Sequence, residues 1–214
     1  MEFKRIATLM DQIVEAGVPG NDCAIFYKGE QVFRYTAGVA DRETAAPMRP
    51  NQRYNIYSAS KVLTVTCAMK LIEEGKMALT DPLYKYLPEY EHMTVRTENG
   101  IVPAKNQITI RDLFCMTAGF NYDLVSPSLK ACREETGGVC STRDVARYLA
   151  REPLMYEPGT NWLYSLAHDV LGAVIEVVSG MTFGAYMKQT IFDVCDMKDT
   201  AFRYRGDPVE DERF

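Results

Sequence analysis

Ser58-Ala59-Ser60-Lys61 places a hydroxyl and an amine three residues apart, and a tyrosine follows far downstream in Trp162-Leu163-Tyr164-Ser165. A serine hydroxyl is a weak nucleophile at neutral pH and needs a neighbouring base of matched pKa. Residues i and i+3 share one helix face, so Lys61 can reach the Ser58 hydroxyl. A helix N-terminus adds unpaired amides and a partial positive charge, which favour an alkoxide there. Tyrosine titrates near about pH 10 and acts as a base only beside a cation, and Lys61 is the obvious one. Together Ser58, Lys61 and Tyr164 make a nucleophile without histidine. The bare Ser-x-x-Lys spacing is weak, since chance supplies it roughly once in a chain of this length. The bland alternative is an N-cap serine followed by a solvated lysine, so the surrounding elements must decide.

Asn55-Ile56-Tyr57 reads as an extended approach, with Ser58 or Ser60 as the helix cap. Val62, Val65, Met69 and Ile72 recur at helical spacing, while Leu63, Cys67 and Leu71 make the opposite face apolar. That helix is therefore expected to be buried on most sides, and a lysine at its start needs a partner. Upstream, residues 2–16 predict an amphipathic helix ended by Gly17-Val18-Pro19-Gly20, followed by a hairpin of residues 23–27 and 31–37. These make an N-terminal region of residues 1–49. Residues 50–214 read as a mostly helical region that carries the Ser-x-x-Lys and tyrosine motifs. Capping boxes open helices at Thr109-Ile110-Arg111-Asp112 and Ser141-Thr142-Arg143-Asp144. Residues 120–140 read as a long loop near the site, which makes Phe120 and Tyr122 candidate substrate-binding residues. A buried helix around Val170 to Val178 closes at Gly180, and residues 182–194 form the last helix before an irregular, charged segment from Arg205 to Phe214.

The chain has 214 residues, 47% of them hydrophobic and 11% aromatic, which is enough for a sizeable core. Its net charge of −5 and lack of a basic run argue against a nucleic-acid partner. No stretch is long and apolar enough to span a bilayer, and the first residues do not read as a signal peptide, so cytoplasmic residence is expected. The six cysteines lack Cys-x-x-Cys spacing and read as free thiols, Cys132 and Cys140 around Gly137-Gly138 included. With only two histidines, no metal site is expected, and no cofactor. A Ser-His-Asp hydrolase is disfavoured: there is no Gly-x-Ser-x-Gly elbow, and His168 beside Asp169 reads as structural.

A longer series of motifs in order resembles one family. Gly38-Val39-Ala40-Asp41 follows the hairpin, Ser58-Ala59-Ser60-Lys61 opens a helix and Leu71-Ile72-Glu73-Glu74-Gly75-Lys76 closes it. Asp81-Pro82, Tyr86-Leu87-Pro88-Glu89, Ile108-Thr109-Ile110-Arg111-Asp112-Leu113 and Pro158-Gly159-Thr160 follow, leading to Tyr164-Ser165. The chain is similar to the serine β-lactamase and penicillin-binding-protein superfamily, in particular its class C-like branch of family VIII carboxylesterases. The resemblance implies an α/β fold, an antiparallel sheet flanked by helices plus a helical domain. It also implies Ser58 as the acylated nucleophile, Lys61 as its proton acceptor and Tyr164 as the second acid or base.

Three departures qualify what the resemblance implies. The tyrosine motif usually ends in an asparagine that binds a substrate amide; Leu166 stands there and cannot, which favours esters over lactams or peptides. Met116 stands where histidine is common, a change expected to affect loop anchoring. The downstream Lys/His-[Ser/Thr]-Gly or Trp-x-Gly triplet, on a strand that supplies half the oxyanion hole, is not found after Tyr164. The sheet is therefore expected to be incomplete, the chain being the N-terminal part of a longer enzyme or one that takes strands from a second chain or a second copy. The leading expectation is a serine hydrolase of small esters working through an acyl-enzyme. A β-lactamase or D-alanyl-D-alanine peptidase is the near alternative, and a non-catalytic binding or sensor module the distant one.

Overall fold

The structure is a computed structural model that describes residues 2–202. The segment from Arg205 to Phe214 lies outside the described residues. The chain divides into two compact units, one running to Ile56 and taking in Phe202, the other spanning Tyr57–Ala201.

In the first unit, helix α1 (Lys4–Glu15) precedes an antiparallel hairpin of β1 (Gly20–Tyr27) and β2 (Glu30–Gly38). Period-2 alternation gives the hairpin two faces. Phe33 and Tyr35 lie on the α1 side, where Phe3 meets Phe33 at 5.0 Å and Tyr35 donates to Asp11. On the other face Arg34 pairs with Asp22, which also accepts a hydrogen bond from Tyr54. The register shifts between Ile25 and Phe26 and leaves Val32 of β2 without a partner, a bulge that raises the local twist. Among the described residues no further strand pairs with either edge.

The second unit holds the main core. Helix α6 (Ala167–Ser179) is its axis, with Ala167, Val170, Leu171, Ala173, Val174 and Ile175 all buried. Around it lie α2 (Ser60–Glu73), α3 (Ile110–Cys115), α5 (Thr142–Leu149) and α7 (Phe183–Met187). Gly180 closes α6 at φ 70°, a left-handed position suited to glycine. Both expected capping boxes are present, Thr109 with Asp112 and Ser141 with Asp144, each tying two end amides to side chains. The last expected helix begins at its Thr182 cap as α7 and passes into a π-turn over Lys188–Phe192.

Three expectations are corrected. Helix α2 is not buried on most sides: Thr64, Cys67, Ala68 and Leu71 face the core, while Val62 and Met69 are exposed. Of the two apolar stripes, the one with Cys67 and Leu71 goes inward. Residues 120–140 are not one loop, because Ser126 caps a helix, α4 (Pro127–Glu135), with Pro127 at its first turn. A second small hairpin, β3 (Thr94–Thr97) with β4 (Gly100–Pro103), turns at Glu98-Asn99 inside the region read as helical.

No single described helix is long and apolar enough to cross a membrane. Helix α6 and residues 183–192 pass such a test only jointly, bent by 80°.

Candidate active site

Ser58 sits in a single 3-10 turn, Tyr57–Ala59, that leads directly into α2. Neither serine caps the helix with its side chain: Ala59 is the N-cap residue, and Ser60 Oγ turns back to donate to the Tyr57 carbonyl at 2.5 Å. Side chains at i and i+3 eclipse in a 3-10 turn, which aligns Lys61 with Ser58. Lys61 Nζ lies 3.4 Å from Ser58 Oγ. Tyr57 takes φ 39°, a left-handed conformation that costs a β-carbon residue about 1–3 kcal/mol and holds Ser58 at an exposed apex.

Tyr164 arrives from the irregular segment before α6, and its hydroxyl donates to Ser58 Oγ at 2.6 Å. Main-chain hydrogen bonds to residues 116–121 fix that segment. Met155 N–H donates to the Gly119 carbonyl at 2.7 Å, Leu163 N–H to Met116 at 3.1 Å and Leu166 N–H to Asn121 at 3.0 Å. Met116 is buried, ends α3 at φ 60°, and accepts the Ser165 hydroxyl on its sulfur.

The Ser58 hydroxyl and the Lys61 ammonium hold the Tyr164 phenol below its ordinary value. An ionised phenolate accepts hydrogen bonds and is attracted by the neighbouring cation, so both contacts favour loss of its proton. Lys61 Nζ also stands 5.0 Å from the centre of the Tyr164 ring and 5.7 Å from that of Tyr122.

Of the residues expected to bind substrate, only Tyr122 is exposed; its ring packs on Tyr164 at 5.1 Å. Phe120 and Leu166 do not line the site. Phe120 is buried edge-on against Tyr90 at 5.7 Å, and the Leu166 side chain is in the core beneath the start of α6. In an irregular segment no period says which side chain points inward, and here the apolar ones do. His168 stands apart from the nucleophile with Nε2 3.3 Å from the Phe114 carbonyl, and burial lowers its pKa.

Sequence reasoning passed over the supports of Tyr122. Asn121 Oδ1 accepts from the Asp123 amide at 2.8 Å, an Asx turn that spans Tyr122. Asn121 Nδ2 donates to Glu152 at 3.1 Å, and Ser128 donates to the other Glu152 oxygen. The Asn-x-Asp spacing was the available signal.

A mixed α/β chain with this order of elements and a serine, lysine and tyrosine gathered at one helix start belongs to the beta-lactamase family, whose profile matches residues 5–210. Among curated proteins the chain is 30% identical to Esterase EstB of Burkholderia gladioli over 219 residues, 98% of this chain and 53% of the esterase. Among solved structures it is similar to EstCE1, a hydrolase with promiscuous acyltransferase activity. That likeness has a TM-score of 0.75 and 30% identity, over 89% of this chain and 50% of EstCE1. An octameric penicillin-binding protein homologue from Pyrococcus abyssi shares the fold at TM-score 0.73 and 22% identity, covering 100% and 47% of the two chains. The chain spans about half the length of the curated relatives it matches.

Proposed function

We propose that this chain carries the nucleophile of a serine hydrolase that cleaves small carboxylic esters through an acyl-enzyme. The observation behind this reading is the Ser58 oxygen at 2.6 Å from Tyr164 Oη and 3.4 Å from Lys61 Nζ. The unequal distances favour Tyr164, once ionised, as the direct acceptor of the Ser58 proton. Lys61 supplies the positive charge that makes the phenolate accessible. Ser58 Oγ attacks the ester carbonyl, the C–O bond to the alcohol breaks, and Tyr164 returns the proton to the departing alkoxide. Water then enters and gives a proton to Tyr164 as its oxygen bonds to the acyl carbon; the bond from Ser58 Oγ to that carbon breaks, the acid leaves, and Tyr164 returns the proton to Ser58.

Ester preference over lactams rests on position 166, where a buried leucine leaves the site without a side-chain amide for a substrate amide group. An unpaired buried polar group costs about 1–3 kcal/mol, or roughly ten- to a hundredfold in rate when felt in the transition state. Turnover of p-nitrophenyl butyrate and of nitrocefin by the same preparation tests this. The butyrate is expected to show the higher kcat/KM; a higher value for nitrocefin overturns the ester reading.

Assembly and location belong to the same reading. The edges of β1 and β2, which no strand of the described residues pairs, favour addition of strands from a second copy or a second chain, since open edges template pairing. Sedimentation velocity is expected to show concentration-dependent association, and a monomer at every concentration contradicts it. Six free thiols favour a reducing, cytoplasmic setting, where alkylation of the protein in intact cells is expected to modify the accessible ones; a disulfide-bonded form recovered from cells speaks against that setting.

A further inference from the structure

Lys61 has an unusual set of neighbours for a cation so close to a nucleophile. No carboxylate of the described residues lies within 4.0 Å of its Nζ. Its hydrogen bond to Ser58 is long at 3.4 Å, and it also acts on the Tyr164 hydroxyl. His168 and Asp169, on the first turn of α6, lie within its electrostatic reach without contact. Two aromatic rings take the place of a counter-ion, Tyr164 at 5.0 Å and Tyr122 at 5.7 Å, both inside the roughly 6 Å over which a ring face attracts a cation. A lysine side chain is a flexible stem with many rotamers, so without such contacts the ammonium would spend much of its time in solvent.

Tyr122 is itself firmly held. The Asx turn from Asn121 to Asp123 spans it, and Asn121 is tied through Glu152 to Ser128 and through its carbonyl to Leu166. The ring then leans on Tyr164 at 58° and 5.1 Å. Its hydroxyl makes no hydrogen bond with a described residue, so the ring face is the functional part.

We propose that Tyr122 is a positioning residue: its ring, with that of Tyr164, clamps the Lys61 ammonium where it can support both the Ser58 oxygen and the Tyr164 phenolate. The proposal rests on the reading of Ser58 as nucleophile and adds a residue to it. It assigns the role to the aromatic face, so phenylalanine should substitute and leucine should not.

Two measurements on the full chain separate this proposal from the reading beneath it. The first is the rate at which a fluorophosphonate labels Ser58, followed by intact mass. The second is the titration midpoint of Tyr164 by carbon-13 NMR of ring-labelled tyrosine, with Tyr164→Phe identifying the resonance. Tyr122→Leu is expected to slow labelling about tenfold, the loss expected of one cation–ring contact, and to raise the Tyr164 midpoint. Tyr122→Phe is expected to restore both, which a general loss of folding would not permit. Unchanged labelling and midpoint in Tyr122→Leu overturn the clamp, as does a Tyr122→Phe variant as impaired as Tyr122→Leu. If the unmodified chain is not labelled, the reading of Ser58 fails, and the Tyr164 titration still decides the clamp.

Discussion

In the proposed mechanism Ser58 depends on two neighbours that act differently, and pH separates them. Tyr164 must lose its proton to accept one from Ser58, and its phenol is held below the ordinary tyrosine value of 10.0 by Ser58 and Lys61. The rate of Ser58 labelling should therefore rise with pH through a midpoint below that value. Lys61→Met removes the cation, so the midpoint should move upward and the rate fall by about 100-fold, the usual worth of a placed acid–base group. A Lys61→Met profile that coincides with that of the unmodified chain contradicts this account. That Ser58, Lys61 and Tyr164 come together was legible in the sequence, because residue type and the spacing of a helical turn suggest it. Phe120 and Leu166 were not, because the direction of a side chain in irregular backbone is decided by the core it meets. The ring partnership of Tyr122 with Lys61 was equally invisible, since it joins segments far apart in the chain.

At the scale of elements, the site depends on how residues 116–121 hold the segment that delivers Tyr164. Gly119 is the tight point of that contact. It takes φ 91°, and a β-carbon there would meet the Tyr156 carbonyl oxygen at 2.6 Å and Leu154 Cβ at 3.0 Å. Both the conformation and the crowding exclude alanine. Gly119→Ala should lower unfolding free energy by about 1–3 kcal/mol and slow Ser58 labelling as well, because the Tyr164 segment must shift. Denaturant melts paired with labelling rates check this, and a Gly119→Ala variant as stable and as reactive as the parent contradicts it. The helices with long apolar periods and the capping boxes could be read from the sequence. The short elements could not. Helix α4 has nine residues and a polar surface, so only its Ser126-Pro127 start announced it, and the β3–β4 hairpin only its Glu98-Asn99 turn. Helix α2 shows the limit of periodicity: with apolar residues on two faces, the pattern did not say that the Leu71 face goes inward and the Val62 face stays out.

For the whole molecule, the division of labour is uneven. The unit from Tyr57 to Ala201 contains Ser58, Lys61, Tyr164 and Tyr122 together with the large core built on α6, so the Ser–Lys–Tyr geometry is internal to one compact body. The N-terminal unit supplies a two-stranded hairpin and one helix. A two-stranded sheet is marginal alone, and among the described residues both sheets have two strands. Loss of one oxyanion donor costs about 100- to 1000-fold in turnover, whereas covalent capture of the nucleophile by a reactive phosphonate needs less help. Labelling of Ser58 is for that reason a more direct test than turnover. The chain treated with a fluorophosphonate and mapped by peptide mass spectrometry should carry one adduct, on Ser58, absent from Ser58→Ala and strongly slowed in Tyr164→Phe. An adduct on Ser60, or one that persists in Ser58→Ala, contradicts the account.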